Sequence, residues 1–250
     1  MSPRFKDHFS EVASGYASYR PTYPPALVDF LARIAPGLDL AWDCGCGTGQ
    51  LSQLLAGRFE RVIATDASQE QIDHAVPDPR VEYRHATAES SGLPDRAADL
   101  AVAAQAAHWF DLPAYYAEVN RASRPGAAVA LVTYANVRID TDLDPVIERF
   151  YSGAAGPYWP PERRLVEDGY RSIPFPFQEI EAPTLEIRAR WALPDLIGYI
   201  ETWSALRAME KAVGRGEIES FYRDLAGAWG PPSRVRPVRW PLSMRVGHVE

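Results

Sequence analysis

The stretch Ala41-Trp42-Asp43-Cys44-Gly45-Cys46-Gly47-Thr48-Gly49-Gln50-Leu51-Ser52 constrains this chain more than any other. Apolar residues run into an acid, three glycines alternate with small residues, and Leu51, Leu54 and Leu55 then take up helical spacing. That order is strand, tight loop, helix. Such a corner binds nucleotides, because glycine lets a ligand approach the main chain where a Cβ would stand and admits φ values closed to other residues. The helix that follows offers its unpaired N–H groups. A dinucleotide loop is G-x-G-x-x-G, with the third glycine packing helix on strand over a pyrophosphate. Here the spacing is G-x-G-x-G, and Gln50 stands where the third glycine would be. Asp43 has the wrong sign for cradling phosphate but suits a ligand that carries an ammonium or a sulfonium.

Asp-x-Gly-x-Gly-x-Gly, from Asp43 to Gly49, resembles the first motif of class I methyltransferases that use S-adenosylmethionine (SAM). The resemblance implies a Rossmann-like, doubly wound α/β sheet of seven strands, mostly parallel with an antiparallel last strand. It implies SAM as cofactor, S-adenosylhomocysteine as product, and cofactor contacts from Asp43, Gly45, Cys46, Gly47 and Gly49. Arg61 to Asp66 has the composition of a second buried parallel strand. It ends on an acid about twenty residues beyond the glycine loop, where dinucleotide folds place the carboxylate that holds a ribose. Asp66, with Ala67 beside it, is therefore the expected ribose contact; Ser68 with Gln71 already supplies a capping box for the next helix. A third strand, Val81 to His85, leads into a loop where family members carry an acid followed by Leu-Pro. Leu93-Pro94 is present, Thr87 departs from the commonest Asp position, and Glu89 is the nearest acid. The resemblance assigns the Ala88 N–H and Glu89 to the adenine edge.

A fourth strand, Asp99 to Ala104, ends at Gln105-Ala106-Ala107-His108-Trp109-Phe110-Asp111. Ligands of open parallel sheets sit beyond the carboxyl ends of the strands, which puts Gln105 and His108 on the crevice. A neutral imidazole there can take a proton from a hydroxyl or amine acceptor; alternatively, His108 and Trp109 only shape the wall. His-Trp-Phe at this position, together with Phe9, Tyr16 and the run Tyr19-Arg20-Pro21-Thr22-Tyr23-Pro24, is similar to small-molecule methyltransferases of the trans-aconitate methyltransferase type. Thr202-Trp203-Ser204-Ala205 resembles a later segment of the same group. In that group the N-terminal arm folds over SAM, which makes Tyr19 and Arg20 cofactor contacts here, a guanidinium being a bidentate partner for a carboxylate. Tyr16 and Tyr19 could equally pin an N-terminal helix. A carboxylate acceptor, as the resemblance implies, would be held by arginines such as Arg163 or Arg164.

With 250 residues, 46% hydrophobic and 24% charged, one domain over 1–250 accounts for the chain. Its parts are a lid arm over 1–23, a SAM-binding core over 24–134, and an insertion, substrate-side helices and remaining strands over 135–250. The connection from Asn136 to about Phe177, rich in prolines and aromatics, is long enough to be functional. Thr184 to Trp191 and Pro237 to Val246 are the expected sixth and seventh strands, with helices near Asp195 to Ala208 and Glu217 to Trp229.

A net charge of −7 supplies no basic footprint for nucleic acid. No apolar run spans a bilayer and no leader is recognisable, so a cytoplasmic protein is expected. Cys44 and Cys46 are too close for a relaxed disulfide, and the five histidines are too scattered to suggest a metal. Two rivals remain at this stage: a nicotinamide-dependent oxidoreductase, which would want glycine at Gln50, and a SAM-binding protein without turnover.

Overall fold

Pro24 and Pro25 pre-set the first turn of α1 (Pro25–Ile34), which buries Leu27, Val28, Phe30 and Leu31 along one face. The structure, a computed structural model, describes residues 21–250. There follow β1 (Leu40–Cys44), α2 (Gln50–Leu55), β2 (Arg61–Asp66), α3 (Gln69–Asp73), β3 (Val81–His85), β4 (Ala98–Ala104), α4 (Leu112–Ala122) and β5 (Ser123–Tyr134). Ser68 caps α3 through the Gln71 N–H, and Asp111 caps α4 through the Ala114 N–H. Neighbouring strands β3, β2, β1, β4 and β5 pair in parallel in that order.

Strands β1, β2, β4 and β5 are apolar on both faces, which feed different cores, whereas β3 at the sheet edge (Val-Glu-Tyr-Arg-His) is only half-buried. Ala41, Val62, Leu100, Val102, Ala128, Ala130 and Val132 pack with α1 and α2. Their neighbours Trp42, Ile63, Ala101, Ala103, Val129 and Leu131 pack with α4 on the other side. That alternation at period two is what a doubly wound sheet requires. Away from the strands' carboxyl ends, buried Asp99 accepts hydrogen bonds from the Asp39 and Leu40 N–H groups at 2.9 and 3.0 Å. Arg124 completes this clasp, 2.9 Å from the Asp99 carboxylate.

The second half adds α5 (Leu143–Glu148), running on into a π-helical turn over Arg149–Ala154, then α6 (Arg163–Glu167), β6 (Gln178–Glu179) and β7 (Glu186–Trp191). After these come α7 (Leu193–Glu201), α8 (Ser204–Val213), α9 (Gly216–Trp229) and β8 (Arg236–His248). The sheet order is β3-β2-β1-β4-β5-β8-β6, with β7 on β8. The class is the expected one. Eight strands are present among the described residues rather than seven, because β6 is a two-residue pairing against Gly247 and His248, too short to leave a periodic signal. The single helix expected near Asp195 to Ala208 is two helices. The chain opens at Trp203, with ψ at 130°, and the indole sinks among Tyr151, Trp159 and Tyr199.

β8 explains where this half sits. Leu242 to His248 pair antiparallel with Tyr134 to Ala128, so the residues before Leu242 run past the carboxyl end of β5. There Arg236 to Pro241 pair with Trp191 to Glu186 of β7. The β7–β8 ribbon thus carries its helices over the end of the sheet where the glycine loop lies. Phe150 and Phe221 stack at 4.0 Å to join the α5 turn to α9.

Candidate functional site

The glycine corner leaves β1 with Gly45, Gly47 and Gly49 all at positive φ. Two of these glycines are dictated by the protein itself rather than by an approaching ligand. A Cβ on Gly45 would stand 2.4 Å from the Ala106 Cβ, and one on Gly49 would stand 2.1 Å from the Tyr83 hydroxyl. The loop is wedged between the β4 exit and β3, and Gly47 is the member where a Cβ would meet only an ordinary contact, Gln71 Oε1 at 3.6 Å. Cys44 is buried and Cys46 partly so; both are free thiols, and burial pushes both well above the ordinary thiol range.

Asp43 lies under this loop, 1% exposed, and accepts a 2.6 Å hydrogen bond from the Ser52 hydroxyl of α2. Burial raises its carboxyl to about 7, with Ser52 opposing and nearby Asp66 adding to the rise. No cation offsets that charge among the described residues. At the end of β2, Asp66 accepts the Gly47 N–H and the Ser68 N–H, each at 2.8 Å, so the carboxylate is held by two main-chain donors against the loop. A nucleoside with a cationic amino-acid tail fits this pair: a buried acid lacking a cation on one side, an oriented carboxylate on the other. Ser52 and Tyr83 were not legible as site residues, because the helical run gives no hint of what lies across the strand ends.

The expected adenine loop is a tight turn bridged between Thr87 and Ser90, with Ala88 buried. Glu89 is not a loose loop charge: one of its oxygens accepts the Asp111 N–H at 3.0 Å, fastening this turn to the start of α4. Ala67, next to Asp66, accepts at its carbonyl from the His85 side chain at 3.1 Å. Tyr19 and Arg20, like the arm before them, lie outside the described residues; of the expected arm only 21–23 are described, with Tyr23 buried.

Gln105 leaves β4 at φ 56°, a left-handed conformation that a non-glycine residue seldom adopts. Its amide donates to the Tyr134 carbonyl at 2.8 Å and accepts from the Thr133 hydroxyl at 2.8 Å, so the side chain ties β4 to β5. His108, in a single 3-10 turn over Ala107–Trp109, places Nδ1 2.8 Å from the Tyr170 hydroxyl. Tyr170 follows the C-terminus of α6, where the Gly169 N–H bonds the Val166 carbonyl at 3.0 Å and the Tyr170 N–H bonds the Leu165 carbonyl at 2.8 Å. Fully buried, its phenol is pushed above the ordinary range by desolvation, with hydrogen bonding to Thr133 the leading opposing effect. Tyr170 lies 62 residues from His108 in the chain, so no local pattern could have announced it.

Above Tyr170 the insertion builds an aromatic box. Tyr151, Trp159 and Trp203 have ring centroids 4.7 to 5.6 Å apart. The Arg163 guanidinium lies 4.8 Å over Trp159 and 5.5 Å over Tyr151, and its Nε donates to the Tyr151 hydroxyl at 2.6 Å. The Tyr151 hydroxyl donates in turn to Glu167 at 2.9 Å. Arg163 is near enough to bear on the Tyr170 phenol. Arg164, the other candidate, is exposed and turned to the Pro161 carbonyl. Among the described residues no group of three His, Cys, Asp or Glu side chains could hold a metal ion, and no helix is long and apolar enough to cross a membrane.

A glycine corner after β1, an acid closing β2 and a helical cap over the strand ends together define a nucleoside-dependent enzyme of the Rossmann-like class. Residues 42–131 match the family model of the methyltransferase domain. A protein of Dictyostelium discoideum, provisionally named a methyltransferase, is 32% identical over 254 residues, spanning 99% of this chain and 97% of its own. A solved structure from Anaeromyxobacter dehalogenans, provisionally called a type II methyltransferase, agrees with a TM-score of 0.88 at 48% identity, covering 92% of this chain and 98% of that one. The chain belongs to the class I SAM-dependent methyltransferases, and SAM is its cofactor. A malonyl-acyl-carrier-protein O-methyltransferase of Serratia marcescens is 36% identical over 102 residues, 40% of each chain.

Proposed function

We propose that this enzyme methylates an oxygen of a small acceptor that bears a carboxylate, and that Arg163 holds the carboxylate. The observation that carries this reading is the state of Arg163: stacked on two aromatic rings, fixed at Nε by Tyr151, and without an ion-pair partner among the described residues. A guanidinium pre-oriented in this way keeps its terminal N–H fork for a planar anion, and the aromatic walls strengthen the pairing by excluding water. Glu167 does not compete, because the Tyr151 hydroxyl occupies it. The named acceptor of the Serratia relative is an acyl group on a carrier protein, and that relative matches only part of this chain, so Arg163 bears the weight of the argument.

When bound, SAM supplies the methyl group on a sulfonium that is its own leaving group. The protein's part is alignment and desolvation. In this reading Asp43 and Asp66 fix the amino-acid and ribose ends of the cofactor, with Gly45, Cys46, Gly47 and Gly49 lining its path. Ala67, Ala88, Glu89 and Gln105 complete the cofactor wall, and Tyr19 and Arg20 close it from the arm. His108, beside the exit of β4, stands on the acceptor side. A hydroxyl acceptor is the second reading, favoured by the His108–Tyr170 bond, since a base helps only where the acceptor loses a proton.

The test is methyl transfer to a panel of small carboxylates and matched alcohols and amides, by wild type and Arg163→Met. Loss of a charged hydrogen-bonding partner removes about 1.5–3 kcal/mol, so kcat/KM for carboxylates should fall roughly tenfold to a hundredfold, mainly through KM. An unchanged KM in Arg163→Met, or turnover confined to acceptors without a carboxylate, would rule the assignment out.

A further inference from the structure

We infer that the Tyr151 hydroxyl sets acceptor specificity: it is a neutral spacer between Arg163 and Glu167, and it keeps the enzyme's own carboxylate off the guanidinium. Tyr151 acts through Arg163 and is a positioning residue. The inference rests on the carboxylate reading of Arg163 for its meaning in catalysis; the spacing itself stands on the geometry.

Arg163 and Glu167 are the first and last residues of α6, four apart, the spacing at which opposite charges meet on a helix surface. Such a pair ordinarily closes on itself. Here the Tyr151 hydroxyl fills the gap, accepting from Arg163 Nε at 2.6 Å and donating to Glu167 Oε1 at 2.9 Å. The direction of both bonds is fixed by the groups involved. A guanidinium N–H only donates, so the phenol oxygen accepts from it, and the single phenol proton goes to the carboxylate oxygen.

The spacer is held in place from several sides. Tyr151 is 4% exposed, its ring packed on Trp159 at 4.7 Å and edge-on to Trp203 at 5.3 Å. The Trp159 indole N–H bonds the Tyr151 carbonyl at 3.1 Å. Tyr151 also lies in the π-helical turn over Arg149–Ala154, which the Ala155 N–H closes on the Phe150 carbonyl at 2.9 Å. Single π turns of this kind are frequent at functional sites. Burial pushes the phenol above its ordinary range, with Arg163 the leading opposing effect, so the spacer stays protonated and leaves the guanidinium charge uncancelled.

A neutral spacer and an anionic neighbour act oppositely on a bound carboxylate. Glu167 is exposed and free to swing. Without the hydroxyl it closes on Arg163, α6 neutralises itself, and the pocket loses its preference for an anion over an uncharged acceptor.

Tyr151→Phe keeps the ring and removes the spacer alone. In crystals of that variant without acceptor, a Glu167 oxygen should lie within about 4 Å of the Arg163 guanidinium. KM for small carboxylates should rise roughly tenfold with kcat held, while KM for the matched amides stays unchanged. Tyr151→Phe/Glu167→Gln has no carboxylate left to close on Arg163, so its KM for carboxylates should return to that of Glu167→Gln alone. A double variant as impaired as Tyr151→Phe would show that the hydroxyl only braces Arg163, and would overturn the inference. An open Arg163–Glu167 pair in the Tyr151→Phe crystals would overturn it as well. Absence of carboxylate turnover by wild type counts against the carboxylate reading, whereas those crystals judge the spacer with no acceptor present, so the two fail separately.

Discussion

Asp43 is held in a state that costs the fold. Its carboxyl titrates near 3.8 when unfolded and near 7 when folded, chiefly because burial disfavours the charge. Between those values the folded protein carries the extra proton, so the stability this confers is complete below the unfolded value and is lost as pH rises to about 7. Above that, a buried anion without a counter-ion among the described residues costs on the order of 4 kcal/mol. Asp43→Asn, isosteric and neutral, should therefore melt higher than wild type above about pH 7, with the difference shrinking as the solution is acidified. Its SAM affinity should fall, because the cationic end of the cofactor favours the ionised acid. Calorimetry of the wild type just below pH 7 should accordingly show proton release on binding, read from the dependence of binding enthalpy on the buffer. Equal or lower melting of the variant at alkaline pH would show that burial does not strain the charge.

At the scale of elements, the two ends of the parallel strands divide the labour. Asp99, Arg124 and the Asp39 and Leu40 N–H groups tie β4, the start of β5 and the entry to β1 together away from the ligand side. Removing Arg124 leaves a buried carboxylate with only main-chain partners, which is among the costlier single losses. Arg124→Ala should lower unfolding free energy by about 3 kcal/mol while leaving SAM affinity of the folded protein near wild type. Urea titration and calorimetry on one preparation decide it; a large loss of affinity with unchanged stability would move Arg124 to the ligand side. At the opposite ends, the tight Gly45–Ala106 and Gly49–Tyr83 approaches make the loop a rigid wedge. Its shape is thus set before any ligand arrives, a form of preorganisation.

For the whole molecule, the expectation that the arm through Arg20 closes over SAM is tested by deletion. Removing residues 1–20 should weaken SAM binding and leave the melting temperature without ligand little changed, whereas a merely decorative segment would leave affinity untouched. Saturating SAM should also slow proteolysis within those residues in the full chain.

What the sequence determined by itself was whatever local pattern can encode: the strand–loop–helix corner, the acid closing β2, the cap at Ser68, and the succession of strands through β4. Each needs only period, punctuation and near neighbours. The seam of β6, the break at Trp203 and the partners Ser52, Tyr83, Thr133 and Tyr170 were decided by tertiary structure alone. β8 runs antiparallel to β5 and beyond its end, and that single register carries the insertion over the crevice, bringing Tyr170 to His108. Contacts between residues so far apart in the chain arise from strand pairing and core packing, which leave no periodic trace around either partner.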